Sequence, residues 1–185
     1  MNTKKILCVI IALEVIFLII CGCIYIKKEG VFIPSYARWH KCNDAYTLCG
    51  ENVNFKVKSR KLTITSSDGM ILYQTEKDIK VSDAFCTDID HDGTLEVILM
   101  IWKRGSYGDH MPFWVEEDTD RWTQHIFIYE WDVARGDRLD PKWMSSEIGI
   151  HITQITADDD SNLHLIDDTG KETICSWESW GLIYK

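Results

Sequence analysis

The chain has 185 residues, of which 45% are hydrophobic, and a formal net charge of −9. This length allows one domain with a hydrophobic core in addition to an apolar N-terminal segment. Because phosphate contacts require clustered lysine and arginine, the acidic balance argues against nucleic-acid binding. The acidity is uneven: residues 81–185 hold 22 acidic and 8 basic side chains, whereas residues 29–80 hold 6 and 8.

The first predicted element is an N-terminal helix. Residues 6–26 are almost wholly apolar, interrupted only by Glu14 and Gly22, and lysines flank both ends. A helix of this length spans about 31 Å, enough to cross the hydrocarbon core of a bilayer. The short basic head resembles an uncleaved signal anchor. We therefore predict one transmembrane helix within an anchor of residues 1–28, with the rest of the chain outside the cytoplasm.

A second interpretation of this segment is lipidation. The sequence Ile-Cys-Gly-Cys at residues 20–23 is similar to a bacterial lipoprotein cleavage box, in which Cys23 would carry the lipid. Under both interpretations the cell membrane is the expected partner of the N-terminus.

The remainder is predicted to be a spacer, residues 29–50, and an all-β extracytoplasmic domain, residues 51–185. Residues 53–57 alternate apolar and polar side chains, as a half-buried strand does. Residues 62–65 and 70–73 flank a Ser-Ser-Asp-Gly turn, which predicts a hairpin. Residues 163–166 and 172–175 repeat that layout around Asp-Asp-Thr-Gly. We expect each hairpin to form the outer pair of strands in a sheet.

Four cysteines lie in the predicted spacer and domain: Cys42, Cys49, Cys86 and Cys175. An even number outside the cytoplasm is compatible with two disulfides. Four cysteines allow three connectivities. In one of them, Cys42 with Cys49 would close a small loop, and Cys86 with Cys175 would join distant halves of the domain. Free buried cysteines are the alternative. The absence of a Cys-x-x-Cys motif argues against a zinc ribbon.

The strongest motif is an acidic loop at residues 88–96, Asp-Ile-Asp-His-Asp-Gly-Thr-Leu-Glu, followed by a β-branched and apolar run. Ca²⁺ takes six to eight oxygen ligands, which a tightly turned acidic segment can supply. An EF-hand would continue as a helix, whereas the run after Glu96 is typical of a buried strand. The predicted ligands of a Ca²⁺ ion are Asp88, Asp90, Asp92, Thr94 and Glu96. The alternative is a solvated acidic turn.

At these residues the chain resembles the FG-GAP/VCBS repeat family, whose loop runs Asp-x-Asp/Asn-x-Asp-Gly-x-x-Asp into a strand of a propeller blade. Asp88, Asp90, Asp92 and Gly93 match that pattern, and Glu96 replaces the final aspartate. The resemblance covers one loop and its strand, and the Phe-Gly/Gly-Ala-Pro signature of the family is absent. It implies blade-like antiparallel sheets and a structural Ca²⁺ ion.

Chain length limits the number of such sheets. Blades of roughly 40–50 residues allow about three in the domain, and a closed propeller needs at least four. The predicted fold class is therefore all-β, with about three blade-like antiparallel sheets or hairpins in an open or incomplete propeller-like arrangement, preceded by the transmembrane helix.

A long loop after the acidic motif, residues 103–122, is rich in aromatic residues. Loops on a β scaffold commonly carry binding residues, and aromatic side chains often anchor a ligand or partner. The predicted ligand-binding residues are Tyr107, Phe113, Trp114 and Trp122. The alternative is that these rings cover the core.

Signatures of common enzymes are missing from the sequence, including Gly-x-Ser-x-Gly, His-Glu-x-x-His and the phosphate-binding loops. We therefore predict no enzymatic activity. The sequence favours a membrane-anchored β module that binds Ca²⁺ structurally and presents a surface to a protein or glycan. An accessory subunit of a membrane complex and a hydrolase of surface glycans are the alternatives.

Overall fold

The computed structural model describes residues 3–28, 32–108, 110–136 and 138–185; within the N-terminal helix, side chains are described for residues 10–25. After helix α1 (Thr3–Lys28), twelve strands follow. Their bounds are β1 Asn43–Leu48, β2 Glu51–Lys58, β3 Lys61–Ser66, β4 Ile71–Gln74, β5 Lys80–Thr87, β6 Glu96–Arg104, β7 Trp122–Trp131, β8 Leu139–Met144, β9 Ile152–Ala157, β10 Leu163–Asp167, β11 Glu172–Glu178 and β12 Gly181–Tyr184.

The strands form three antiparallel sheets of four strands each, and every sheet is a meander. The first sheet has the order β1-β2-β3-β4, the second β5-β6-β7-β8 and the third β9-β10-β11-β12. The prediction of an all-β domain with about three antiparallel sheets is therefore confirmed.

The second sheet lies between the other two and contributes to both hydrophobic cores. Val97, Leu99 and Ile101 of β6 pack in a core shared with the first sheet. The alternating residues Ile98 and Met100 pack in a core shared with the third sheet. Because successive side chains of a strand point to opposite faces, a strand buried on both sides must be apolar at nearly every position. This explains the unbroken apolar run after Glu96.

The segment before β1 forms hydrogen bonds with strands of all three sheets. The His40 N–H donates to the Ser82 carbonyl on β5 over 2.8 Å, and its Nε2 lies 3.1 Å from the Thr153 carbonyl on β9. The Val57 N–H on β2 donates to the Cys42 carbonyl. The predicted spacer is therefore part of the domain, and the predicted boundary at residue 51 falls inside the first sheet. Strand β1 was missed because this edge strand is mostly exposed and buries only Leu48.

Both predicted hairpins form, as β3–β4 and β10–β11. Their positions differ, however. β3 and β4 are the third and fourth strands of the first sheet, whereas β10 and β11 are the two middle strands of the third. The prediction that each is an outer pair is wrong for β10–β11. The similarity of the two hairpins therefore reflects turn chemistry and not equivalent positions in two repeats.

The N-terminal segment is helical from Thr3 to Lys28. In the part of the chain that the structure describes, no helix is long and apolar enough to cross a membrane. The transmembrane helix predicted over residues 6–26 is therefore not found there, and the side chains of residues 6–9 and of residue 26 lie outside the described part.

The described cysteines are free thiols, so neither predicted disulfide is formed. Cys42 and Cys49 flank the six-residue strand β1, which separates them by roughly 23 Å, whereas the Cα atoms of a disulfide lie within about 7 Å. Cys86 packs against the core between the first and second sheets. Cys175 lies in the core between the second and third. The second sheet thus separates Cys86 from Cys175.

Because the described cysteines are free, we expect a reducing agent to leave the thermal midpoint of the full chain unchanged. The measurement is a melting curve with and without dithiothreitol. A fall of several degrees on reduction would show that a disulfide stabilises the domain and would contradict this arrangement.

We expect substitution by alanine of a buried side chain on either face of β6 to destabilise the domain. Leu99→Ala and Met100→Ala each remove a buried side chain from a different core, and each should lower the free energy of unfolding by about 2–5 kcal/mol. Ile71→Ala is the control, since this side chain is 61% exposed and should cost about 0.5 kcal/mol or less. Urea titration measures all three, and an unaffected Met100→Ala variant would contradict the second core.

Candidate metal centre

The acidic loop lies at one end of the second sheet, between β5 and β6. It turns through two residues with positive φ, His91 at 61° and Gly93 at 89°. Glycine adopts this backbone conformation without a Cβ clash, so Gly93 suits the tight turn. The side chain of Ile89 is 1% exposed and packs in the core shared with the third sheet. This apolar anchor fixes the loop against the sheets.

Three of the predicted ligands meet in this loop. Carboxylate oxygens of Asp88, Asp90 and Glu96 all lie within 4.8 Å of one another, a group that could hold a metal ion. Asp92 and Thr94 are exposed and bind each other instead: the Asp92 Oδ1 accepts from the Thr94 N–H and hydroxyl at 2.8 and 2.6 Å. Those hydrogen bonds lower the pKa of Asp92. The five predicted ligands therefore divide into a partly buried trio, in which Glu96 is fully buried, and an exposed pair.

The positively charged ammonium group of Lys142, on β8, contacts two members of the trio. Its Nζ lies 2.6 Å from Asp90 Oδ2 and 2.8 Å from Glu96 Oε1, and it is also 3.2 Å from Glu130 Oε1 on β7. Burial opposes this charge, but the three hydrogen-bonded carboxylates outweigh burial and raise the pKa of Lys142. The cluster therefore connects the β5–β6 loop with β6, β7 and β8.

Glu96 is the most deeply buried acid, at 1% side-chain exposure. Burial raises its pKa, while the hydrogen bonds from Lys142 and from the Ile89 N–H act in the opposite direction. The pKa values of Glu96 and Lys142 thus move in the same direction, although an isolated ion pair would lower that of the acid. We attribute the difference to desolvation, which is large for a carboxylate removed almost completely from water.

Four of the six carboxylate oxygens of the trio have a hydrogen-bond donor, and two do not. Lys142 binds one oxygen each of Asp90 and Glu96. The Ile89 N–H donates to Glu96 Oε2 over 2.9 Å, and the Gly93 N–H donates to Asp88 Oδ2 over 3.0 Å. The remaining two, Asp88 Oδ1 and Asp90 Oδ1, are buried and have no hydrogen-bond partner among the described residues. Buried polar atoms are nearly always paired, so these two oxygens are the atoms that a bound cation or water would satisfy.

Charge supports a cation at these two oxygens. The trio and Glu130 carry four formal negative charges and Lys142 carries one positive charge, so an excess of three negative charges remains for a divalent ion to reduce. The donor set is carboxylate oxygen, as Ca²⁺ and Mg²⁺ prefer. The residues present therefore fit a hard divalent cation.

Lys142 and Glu130 were not predicted. Both come from strands far along the chain, and only the strand order β5-β6-β7-β8 brings them to the acidic loop. The one sequence signal for Lys142 is its position as a lone basic residue in a strand between Leu139 and Trp143. No pattern within a single sequence connects that position to the loop.

The predicted ligand-binding aromatics do not form one surface. Phe113 and Trp114 are 95% and 71% exposed, and their rings meet edge to face at 4.9 Å. Trp122, at the start of β7, is half-buried and lies under the cations of Arg104 and Lys80 at 5.3 and 5.9 Å. Tyr107 is also half-buried. Of these four predicted residues, only Phe113 and Trp114 form an open aromatic surface.

No family model, curated protein or solved structure matches the chain. The resemblance to FG-GAP/VCBS loops therefore stays a prediction based on one loop and its strand.

We expect Lys142→Met to destabilise the domain strongly, by about 3–5 kcal/mol, because it leaves buried carboxylates without their counter-charge. The measurement is the free energy of unfolding in urea. Arg121→Met is the matched control: its ion pair with Glu147 spans 3.8 Å between half-exposed side chains and should contribute about 1 kcal/mol or less. Equal effects of the two substitutions would contradict the buried position of Lys142.

Proposed function

We propose that the protein is a β module in which a Ca²⁺ ion, held by Asp88 and Asp90 beside Glu96, rigidifies a surface used for binding a protein or glycan. The observation that carries the proposal is the pair of buried oxygens without donors, Asp88 Oδ1 and Asp90 Oδ1. A bound cation would satisfy both atoms and neutralise the charge that Lys142 leaves uncompensated.

The role of the ion in this proposal is structural. Asp88 follows the end of β5, and Glu96 begins β6. Neutralising their mutual repulsion would hold the two strands together at the loop. The same end of the sheet also contacts the third sheet, since the Lys142 Nζ lies 5.7 Å from the ring centroid of Trp177 and the Thr87 hydroxyl lies 2.9 Å from that of Ser161. Cation binding would therefore stabilise the interface between the second and third sheets.

The binding surface in this proposal is the exposed pair Phe113 and Trp114. The pair lies in the loop that follows the opposite end of β6 from the acidic loop, so the ion would support it through the sheet and not by direct contact. The two rings are adjacent and in contact, so they form a contiguous apolar patch, and such patches can mark an interaction site. An aromatic pair of this kind suits a sugar ring or an apolar side chain of a partner protein. The acidic residues 116–118 and 120 follow it directly, which favours a partner without strong negative charge.

Tethering to a membrane and a location outside the cytoplasm remain parts of the proposal. They are supported by the apolar composition of residues 6–26 and their flanking lysines. Weak Ca²⁺ sites suit compartments where the ion is plentiful. The alternatives remain an accessory subunit of a membrane complex and a hydrolase of surface glycans. Cross-linking at the N-terminal segment tests the first, because a subunit has a specific neighbour. Screening for activity on polysaccharides tests the second.

We expect Ca²⁺ to raise the thermal midpoint of the full chain and a chelator to reverse the rise. A ligand that binds only the folded state stabilises it by about 2.7 kcal/mol at one hundred times its dissociation constant. Asp90→Asn should abolish most of the shift, whereas Asp92→Asn should reduce it less, because Thr94 holds that carboxylate away from the trio.

Glu116→Gln is the control for loss of one negative charge, since Glu116 is exposed and outside the trio. Lys142→Met should show a larger Ca²⁺ shift than the parent chain, because the ion then replaces the missing positive charge. No shift in the parent chain, or an equal shift in Asp90→Asn, would contradict the proposal.

A further inference from the structure

A cavity unconnected with the acidic loop lies where β1 and the turn between β2 and β3 meet the segment before β1. Its volume is about 500 Å³, within the range of roughly 300–1,000 Å³ of small-molecule sites. Its lining residues are mostly apolar or basic: Trp39, Cys42, Val57 and Val81, of which Val81 is fully buried, and Lys41, Lys56, Lys58 and Arg60. A second cavity of about 460 Å³ shares Trp39 and Arg60 with the first.

The charge of these walls is opposite to that of the protein. The chain has 29 acidic and 20 basic residues, yet the described residues that line the first cavity include four basic side chains and no acidic one. The second cavity adds Lys80, again without an acid among its described lining residues. Two carboxylates of the same region are held by neighbours: Asp44 accepts from the Cys42 thiol at 3.3 Å, and Asp83 lies 3.5 Å from His40.

Arg60 is placed at the cavity by a strained turn. Ser59 and Arg60 form the two-residue connection between β2 and β3, and both have positive φ, at 53° and 65°. Asparagine and glycine are the usual residues of such a turn, and other residues are less stable there. The Arg60 carbonyl accepts from the Val81 N–H over 2.9 Å, and its guanidinium lies 4.3 Å over the ring of Trp39. These contacts hold the guanidinium beside the apolar wall.

We propose that this cavity binds a small organic anion with an apolar body, such as an aromatic carboxylate. The apolar wall around Trp39 takes the body of the ligand, and Arg60 takes the anionic group, with the neighbouring lysines adding attraction. Arginine suits this role because its planar guanidinium pairs with a carboxylate through two parallel hydrogen bonds. This site is independent of the proposed cation site.

The test is isothermal titration calorimetry of the full chain with 2-naphthoate. Two related probes separate the contributions: 2-naphthalenemethanol has the same ring without the charge, and acetate has the charge without the ring. We expect 2-naphthoate to bind at least tenfold more tightly than either. Equal binding of the neutral alcohol, or no binding of 2-naphthoate, would overturn the proposal.

Single substitutions test whether 2-naphthoate binds in this cavity. Arg60→Met should weaken 2-naphthoate binding at least tenfold, because it removes the charged hydrogen-bond donor. Lys58→Met, on the exposed face of β2, should weaken it less, and is informative even if the turn does not tolerate a change at Arg60. Lys171→Met removes the same charge from a distant exposed turn and should leave affinity within twofold. Unchanged affinity in both Arg60→Met and Lys58→Met, with melting curves like that of the parent, would refute the assignment.

Discussion

The structure depends on how it accommodates one buried carboxylate, that of Glu96. A charge removed from water is costly unless charge-paired and hydrogen-bonded. Here the Ile89 N–H binds one oxygen and the Lys142 ammonium binds the other. These two groups belong to the loop before β6 and to strand β8, so satisfying Glu96 fixes both relative to β6. The position of Asp90 then follows, because it shares the same ammonium.

This arrangement lies at one end of the second sheet, whose two central strands are mostly buried and largely apolar. Most residues of β6 and β7 are buried, and their apolar side chains divide between two cores. The two acidic residues of these central strands, Glu96 and Glu130, accordingly lie at or next to a strand end. The acidic loop lies at one end of this sheet, with Ile89 packed in the second core and Leu95 against the first. The same geometry that builds a three-sheet stack thus concentrates carboxylates in one partly buried place.

Local patterns predicted the parts of the fold that local chemistry determines. An acidic turn followed by a β-branched run indicated strand β6, and glycine turns between short apolar runs indicated two hairpins. Strand order is different, because it depends on contacts between residues far apart in the chain. The disulfide proposal failed for that reason: Cys86 and Cys175 both fall in strands, but on opposite sides of the second sheet. Strand β1 was missed because an exposed edge strand has little apolar periodicity.

In the candidate metal centre, too, local features were predicted from the sequence and contacts between distant residues were not. The loop sequence predicted that Asp88, Asp90 and Glu96 converge, but it gave no means to see that Asp92 would turn to Thr94. It also gave no sign that Lys142 would supply part of the positive charge. A lysine inside an acidic cluster lowers the charge available to a metal ion, so its presence changes the expected affinity and not only the geometry.

The most direct test of the account is a crystal structure of the protein grown with Ca²⁺. We expect density for an ion at about 2.3–2.6 Å from Asp88 Oδ1 and Asp90 Oδ1, with Lys142 still bound to Glu96. Density for water alone at those two oxygens, at saturating Ca²⁺, would contradict it.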